Sequence, residues 1–268
     1  MRVWVAYLME RFAMSERKAC QTVAMPRQSY RYQGQGNRDD EIKQALQQLA
    51  RDHPRWGFKK MNAVLQRQEN GWNHKRIYRV YCEMKLNLRV KPKKRLPNRE
   101  KVNLTQPQRP NESWSIDFMS DSLMNGKAIR TMNILDDYNR EVLWIEVRYS
   151  FPAEQMTSIL DRVAEGRGYP KQIRSDNGPE FIARHTAQWS QKHGINWRFI
   201  QPGKPNQNGY VERMNRTYRE DVLDAYLLQN LEEAQELTEE WMMMYNCQRP
   251  HEALGNLTPY EYAMAAGT

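Results

Sequence analysis

The sequence predicts an α/β domain preceded by an all-α region, and three observations predict it. Apolar residues recur at helical spacing up to about residue 86, prolines and cations crowd residues 87–111, and from residue 112 apolar positions alternate one by one before helix-like and strand-like segments take turns. At 268 residues with 40% hydrophobic content, the chain can bury the core of one sizeable domain and a small one.

Residues 1–32 read as a short helical segment, then a capped helix start at Ser15-Glu16-Arg17, then a turn at Met25-Pro26 entering another helix. Such a hairpin is either a helix-turn-helix remnant or a basic amphipathic pair that only packs. Three further helices are expected at about 39–52, 56–68 and 74–86, with Asn70-Gly71-Trp72-Asn73 as the turn before the last and Asn73 as its cap. The first turns of that last helix carry His74, Lys75, Arg76 and Arg79, interleaved with Ile77, Val80 and Tyr81. One face can therefore pack while the other presents cations to phosphates. Trp56 and Trp72 are expected in the core of this region rather than as platforms for bases.

The stretch 87–111 contains Lys91-Pro92-Lys93-Lys94-Arg95-Leu96-Pro97 and Gln106-Pro107-Gln108-Arg109-Pro110. Prolines at this density resist helix and sheet alike, so the stretch reads as an extended basic linker, with Lys93, Lys94 and Arg95 placed to lie along DNA. Charge is divided the same way. Residues 1–110 hold 25 Lys and Arg against 9 Asp and Glu, whereas residues 111–268 hold 16 against 23. A polyanion suits the first part and a metal ion suits the second.

Beyond the linker, Trp114, Ile116 and Phe118 fall on one face of a strand over 112–122, while Ser115, Asp117 and Met119 fall on the other. Strands at 128–136 and 142–149, joined through the turn Asp137-Tyr138-Asn139-Arg140, complete an antiparallel meander. A helix from Pro152 to about Gly166, a strand from Lys171 to Ser175, a helix from Pro179 to His193 and a strand from Ile195 to Ile200 follow. That order is the one found in the ribonuclease H-like fold, seen also in retroviral integrases. The expected domains are thus a helical, helix-turn-helix-type DNA-binding region at 1–86, the linker at 87–111 and an α/β catalytic core at 112–268.

Three carboxylates stand out in that core. Asp117 lies in Trp-Ser-Ile-Asp-Phe, Asp176 in Arg-Ser-Asp-Asn-Gly, and Glu212 in Asn-Gly-Tyr-Val-Glu-Arg, with thirty-five residues between the second and the third. Acids from two strands and a helix can converge on a pair of Mg²⁺ ions, with Mn²⁺ as a substitute, and such a pair clamps the attacking and leaving oxygens of a phosphodiester displacement. Cutting or joining of DNA is the implied chemistry. The preceding loop, 201–209, has too much Pro and Gly to be regular, and Lys204 within it is a candidate DNA contact. On a helix starting near Tyr210, spacings of three, four and seven bring Glu212, Asn215, Arg216 and Arg219 to one face. There the acid would hold metal and Asn215, Arg216 and Arg219 would meet DNA.

On these motifs the chain resembles the DDE transposases of bacterial insertion sequences, specifically the integrase-core product of the family numbered three. The resemblance is strongest from Trp114 to Tyr262. It rests on Trp114-Ser115-Ile116-Asp117, on Ser175-Asp176-Asn177-Gly178-Pro179-Glu180-Phe181, on Asn208-Gly209-Tyr210-Val211-Glu212-Arg213 with Arg219, and on Tyr245-Asn246-Cys247-Gln248-Arg249-Pro250-His251 near the C-terminal end. It implies Mg²⁺-dependent cleavage at the element's ends and attack of the freed 3′-OH on target DNA, with Asp117, Asp176 and Glu212 as metal ligands. It also implies terminal inverted repeats and target DNA as partners, a homo-oligomer on DNA, and an upstream reading frame whose product is fused to this second-frame chain. A DNA-binding regulator of transposition that no longer cuts is the alternative reading.

Other residues are weighed against ordinary roles. Asp136, Asp137 and Asp121 are expected to be structural, and Glu180 either caps a helix or supports Asp176. His251 is expected to be a structural hydrogen bonder, and Trp241 to Tyr245 a packing face. The five histidines and three cysteines show no zinc spacing, so the zinc module of retroviral integrases is not expected. With no apolar run of membrane-spanning length and no signal-peptide pattern, a cytoplasmic, nucleoid-associated protein without a membrane partner is expected.

Overall fold

The computed structural model describes residues 1–32, 39–68, 71–88, 106–201 and 205–266. Lys93, Lys94, Arg95 and Lys204 lie outside the described residues.

Three short helices begin the chain: α1 (Arg2–Phe12), α2 (Glu16–Thr22) and α3 (Arg27–Arg31). Ser15 caps α2 by accepting from the Lys18 amide, and Val5, Ala19 and Cys20 form their small buried cluster. The next three are α4 (Asp40–Asp52), α5 (Phe58–Arg67) and α6 (His74–Glu83). Their apolar faces meet around Ile42, Leu46, Met61, Leu65, Ile77 and Val80, with Trp56 buried and Trp72 packed at the edge, as periodicity requires. Asn73 caps α6 through the Lys75 amide at 2.9 Å, and Lys85 ends the segment in the left-handed region at φ 57°.

The strands are β1 (Ser113–Ser122), β2 (Ala128–Asp136) and β3 (Val142–Arg148). Then come α7 (Ala153–Arg167), β4 (Gln172–Ser175), α8 (Pro179–Ile182), α9 (Arg184–Lys192) and β5 (Asn196–Phe199). The chain continues through α10 (Gly209–Tyr218), a π-turn at Arg219–Leu223, α11 (Leu231–Cys247) and α12 (Pro259–Ala266). The five strands form one sheet in the order β3-β2-β1-β4-β5, with β1, β2 and β3 antiparallel and β4 and β5 parallel to β1.

Alternation along β1 decides what covers each face. Trp114 and Ile116 enter a core with Met132, Ile134, Ile159, Leu160, Phe181 and Trp189 on the α7 and α9 side. Ile129, Leu135, Ile145 and Val147 turn the opposite way against Val211, Met214, Tyr218, Trp241 and Tyr245 of α10 and α11. Each such aliphatic or aromatic side chain contributes about 1.5–3 kcal/mol by leaving water. Each face of the sheet is therefore covered by its own helical layer.

One element differs from expectation. The single helix expected from Pro179 to His193 is broken at Ala183, which is extended at φ −58° and ψ 144°. The break lets Phe181 drop into the core against Phe118, while Thr186 Oγ1 donates to the Glu180 carbonyl that the interruption leaves without its helical partner. Asp136 and Asp137 are structural, as expected. Asp136 accepts from the amides of Asn111 and Tyr138 at 2.9 Å, and Asp137 accepts from Ser113 Oγ at 2.8 Å and Ser115 Oγ at 2.5 Å. The end of the linker is thereby fastened to the sheet, with Asn111 also donating to the Arg167 carbonyl at 2.6 Å.

The α4–α6 layer sits against the C-terminal helices. Met244 packs on its core, Lys59 pairs with Glu252 at 2.7 Å, and Arg67 pairs with Glu261 at 3.0 Å. Among the described residues no helix is long and apolar enough to cross a membrane.

Candidate active site

Asp117 is mid-strand on β1, on the face turned toward α10. Ser115 is in register with Arg174 across the parallel pair β1–β4, so two further residues bring Asp117 beside Asp176. Asp176 leaves the end of β4, where its Oδ1 accepts from the Gly178 amide at 3.1 Å. A Cβ at Gly178 would stand 3.2 Å from that oxygen and 3.2 Å from the Phe181 ring, so the turn has room for glycine alone without a shift. Asn177 donates to the Ile200 carbonyl at 2.9 Å and ties the turn to the end of β5. Glu212 is on the first turn of α10, exposed at the surface.

The charges report on this placement. The Asp117 carboxyl is pushed up to about 7, first by burial, then by the Asp176 carboxylate, with Glu212 adding to the rise. Glu212, though exposed, is itself raised by partial desolvation against the protein. The strongest charges acting on Asp117 are thus both negative, a setting that favours a hard divalent cation with oxygen ligands. In chemistry the three carboxylates fit such an ion. In position they share one field without closing on one point: among the described residues no three His, Cys, Asp or Glu side chains are gathered into a ready metal cage.

Asn215 was expected to face DNA with Glu212, and its place is different. It is 6% exposed, donates from Nδ2 to Asp117 Oδ2 at 2.7 Å, and accepts on Oδ1 from Asn133 Nδ2 at 2.6 Å. Asn133 stands opposite Asp117 in the β1–β2 pair, so a strand neighbour and a helix side chain together fix the Asp117 carboxylate. Asn208 adds a bond to the Ile116 carbonyl at 3.3 Å. Sequence reading missed Asn133, because a mid-strand asparagine carries no signal of its own. Only its opposition to Asp117 could have suggested it.

The candidate DNA contacts divide in the same way. Arg216, His74 and Lys75 are exposed. Arg219 donates to Asp121 Oδ2 and to the Ser120 carbonyl, both at 2.8 Å, and so bolts the end of α10 to β1. Arg76 and Arg79 converge on Asp39 at 2.8 and 2.7 Å, and Arg79 also meets Glu83 at 2.7 Å. Glu180 stands in the first turn of α8 without a side-chain cap bond and pairs instead with Arg130 of β2 at 2.5 Å, a partner neither expected role named, whose guanidinium lies over the Phe118 ring. His251 has a hydrogen bond with the Tyr245 backbone, while its Nε2 is buried without a partner.

This arrangement of sheet, acids and helices is that of an integrase-type catalytic core. The family described as "Integrase core domain" matches residues 107–205 and again residues 193–259, and an "HTH-like domain" matches residues 37–95, which hold α4–α6 and not the hairpin at 1–32. In fold the chain is similar to a chain of the simian T-cell lymphotropic virus intasome solved in complex with PP2A regulatory subunit B56 gamma. That likeness has a TM-score of 0.53 and 16% identity, and covers 73% of this chain and 68% of that one.

The chain is 38% identical over 255 residues to an insertion element IS407 protein of 31.7 kDa from Burkholderia multivorans, covering 95% of this chain and 92% of that protein. It is 34% identical over 257 residues to an insertion element IS476 protein of 39.2 kDa from Xanthomonas euvesicatoria, covering 96% and 74%. It is 26% identical over 243 residues to transposase InsD for insertion element IS2A/D/F/H/I/K of Escherichia coli, covering 84% and 78%. The chain belongs to the DDE transposases of bacterial insertion sequences, in the family numbered three.

Proposed function

We propose that the chain cleaves DNA at the ends of its insertion element and transfers the freed strand to target DNA, with Asp117, Asp176 and Glu212 as the ligands of two Mg²⁺ ions. The observation that supports this reading is geometric: the β1–β4 register sets Asp117 next to the strand end from which Asp176 leaves, and α10, which carries Glu212, is bonded to Asp117 through Asn215. When bound, the ions would supply Lewis-acid charge to the attacking and leaving oxygens of the phosphodiester. Mn²⁺ would serve in their place.

The chain's own residues provide the positioning. Asn215, itself held by Asn133, donates to Asp117, the Gly178 amide orients Asp176, and the first turn of α10 carries Glu212. Exposed Arg216, His74 and Lys75 can meet phosphates without first breaking an internal ion pair, whereas Arg76, Arg79 and Arg219 hold the protein together. Lys93, Lys94, Arg95 and Lys204 would extend the grip along the duplex. A homo-oligomer on DNA and fusion to an upstream frame belong to the same reading.

A supercoiled-plasmid nicking assay with Mg²⁺ or Mn²⁺ tests it. The chain should nick, and Asp176→Asn should bind DNA equally while nicking about 10³-fold more slowly, which corresponds to roughly 4 kcal/mol of barrier. Equal binding with no metal-dependent cutting by either protein would instead assign the chain to regulation of transposition. Degradation of an RNA–DNA hybrid with duplex ends untouched would make it a ribonuclease.

A further inference from the structure

A cavity of about 450 Å³ lies on the opposite side of α10 from Asp117. Asn215 turns toward Asp117, whereas Tyr210, Arg213, Met214 and Thr217 line this cavity, on the side of the helix that a 100° step per residue sets away from Asn215. The first turn of α5 closes one side and residues 249–253 close another. Its lining holds five Lys and Arg residues and one acid, Glu252, which is already paired with Lys59.

Three cations, Lys60, Arg213 and Arg249, are gathered here with Asp221 and Glu220 as the nearby acids. Lys60 is pushed down to about 8, first by burial and then by the nearby Arg249. Arg249 is lowered by burial and shares Asp221 at 3.3 Å with the Trp241 indole. The Arg213 side chain has no ion pair among the described residues. His251 Nε2 is buried beside them without a hydrogen-bond partner, and its ring is held neutral by burial and by Arg249 and Lys60. Like charges gathered in a partly dry space repel one another until an anion enters.

We propose that this cavity is a phosphate-binding site, filled in the working protein by a backbone phosphodiester of DNA and cradled by Lys60, Arg213 and Arg249. The volume suits a nucleotide-sized group. DNA is the source favoured by the charge distribution, since the chain places 25 cations against 9 acids before residue 111 and the cavity joins that part to the catalytic core. The proposal rests on the reading of the chain as a DNA-acting transposase. It adds a strand-holding site away from the three acids, at the seam between α5 and α10.

The test is DNA binding by the full chain, followed by fluorescence anisotropy with a labelled duplex over a salt series in metal-free buffer. The variant is Lys60→Met with Arg213→Gln, which keeps the apolar stem of Lys60 and changes a solvent-facing end of Arg213. It should bind about tenfold more weakly, with a log-affinity salt slope smaller by about one to two, whereas Lys192→Gln on the far side of the core should change neither by as much. Inorganic phosphate at matched ionic strength gives the second arm, read as thermal stabilisation. Wild-type binding with an unchanged affinity and slope in the folded double variant overturns the proposal. Loss of phosphate stabilisation alone, with DNA binding intact, overturns the DNA source and leaves a small-anion site. If the wild-type chain binds no duplex at all, the reading of the chain as DNA-acting fails first. Circular dichroism confirms that the variant is folded, and single variants Lys60→Met and Arg213→Gln, each expected to show part of the loss, serve if the double variant is not.

Discussion

Asn215 of α10 donates to Asp117 of β1 across 2.7 Å, and its own carbonyl accepts from Asn133 at 2.6 Å. A helix and two strands are thus tied through one carboxylate. Replacement by Asn215→Ala removes both bonds and frees Asp117 to rotate. Nicking should fall about 10–100-fold, the range seen when partners that orient ligands are lost. DNA affinity measured without metal should stay within about twofold, because no phosphate contact is removed. An equal fall in affinity and rate would show that Asn215 meets DNA directly.

Gly178 is the second positioning point. Its α-carbon faces Asp176 Oδ1 and the Phe181 ring so closely that an added methyl must displace one of them. Gly178→Ala should slow nicking by about tenfold through misplacement of Asp176, with little change in melting temperature. Unaltered nicking would mean that the turn yields without moving the acid.

Asp136 predicts a pH dependence of stability. Burial pushes its carboxyl from 3.8 up to about 6, so the folded chain holds that proton more tightly than the unfolded chain does. The resulting stability is fully present below the unfolded value and is lost as pH rises through about 6. Urea unfolding of the wild type and Asp136→Asn at pH 4 to 7 should show the wild type losing about 2 kcal/mol relative to the variant across that window. A constant difference between the two would contradict the shift.

Trp241 sits in the core between α11 and the sheet, 5% exposed, with Tyr218 and Tyr245 rings against it. Trp241→Ala should cost about 3–5 kcal/mol of unfolding free energy, measured by denaturant titration. A loss below about 1 kcal/mol would point to a surface for a partner instead.

The architecture was legible because its signals are local. Period-two apolar residues place β1, β2 and β3, and Pro179 marks a helix start. Contacts between residues far apart in sequence were not legible. Asp39 takes up Arg76 and Arg79 across about forty positions, and Asp121 takes up Arg219 across ninety-eight, so cations that read as free on a helical wheel are internal fasteners. Likewise, nothing near Asn215 announces that its carbonyl partner is eighty-two residues away. The three acids could be singled out by their motifs, but the asparagines that steady one of them could not.

The ion pairs Lys59–Glu252 and Arg67–Glu261 join α5 to the segment after α11. Met244 also packs on the α4–α6 core, so if that layer holds duplex as proposed, the spacing between a held stretch and the bond to be broken becomes a ruler built into the protein. Inserting base pairs between those two points would put the scissile bond out of step with the acids.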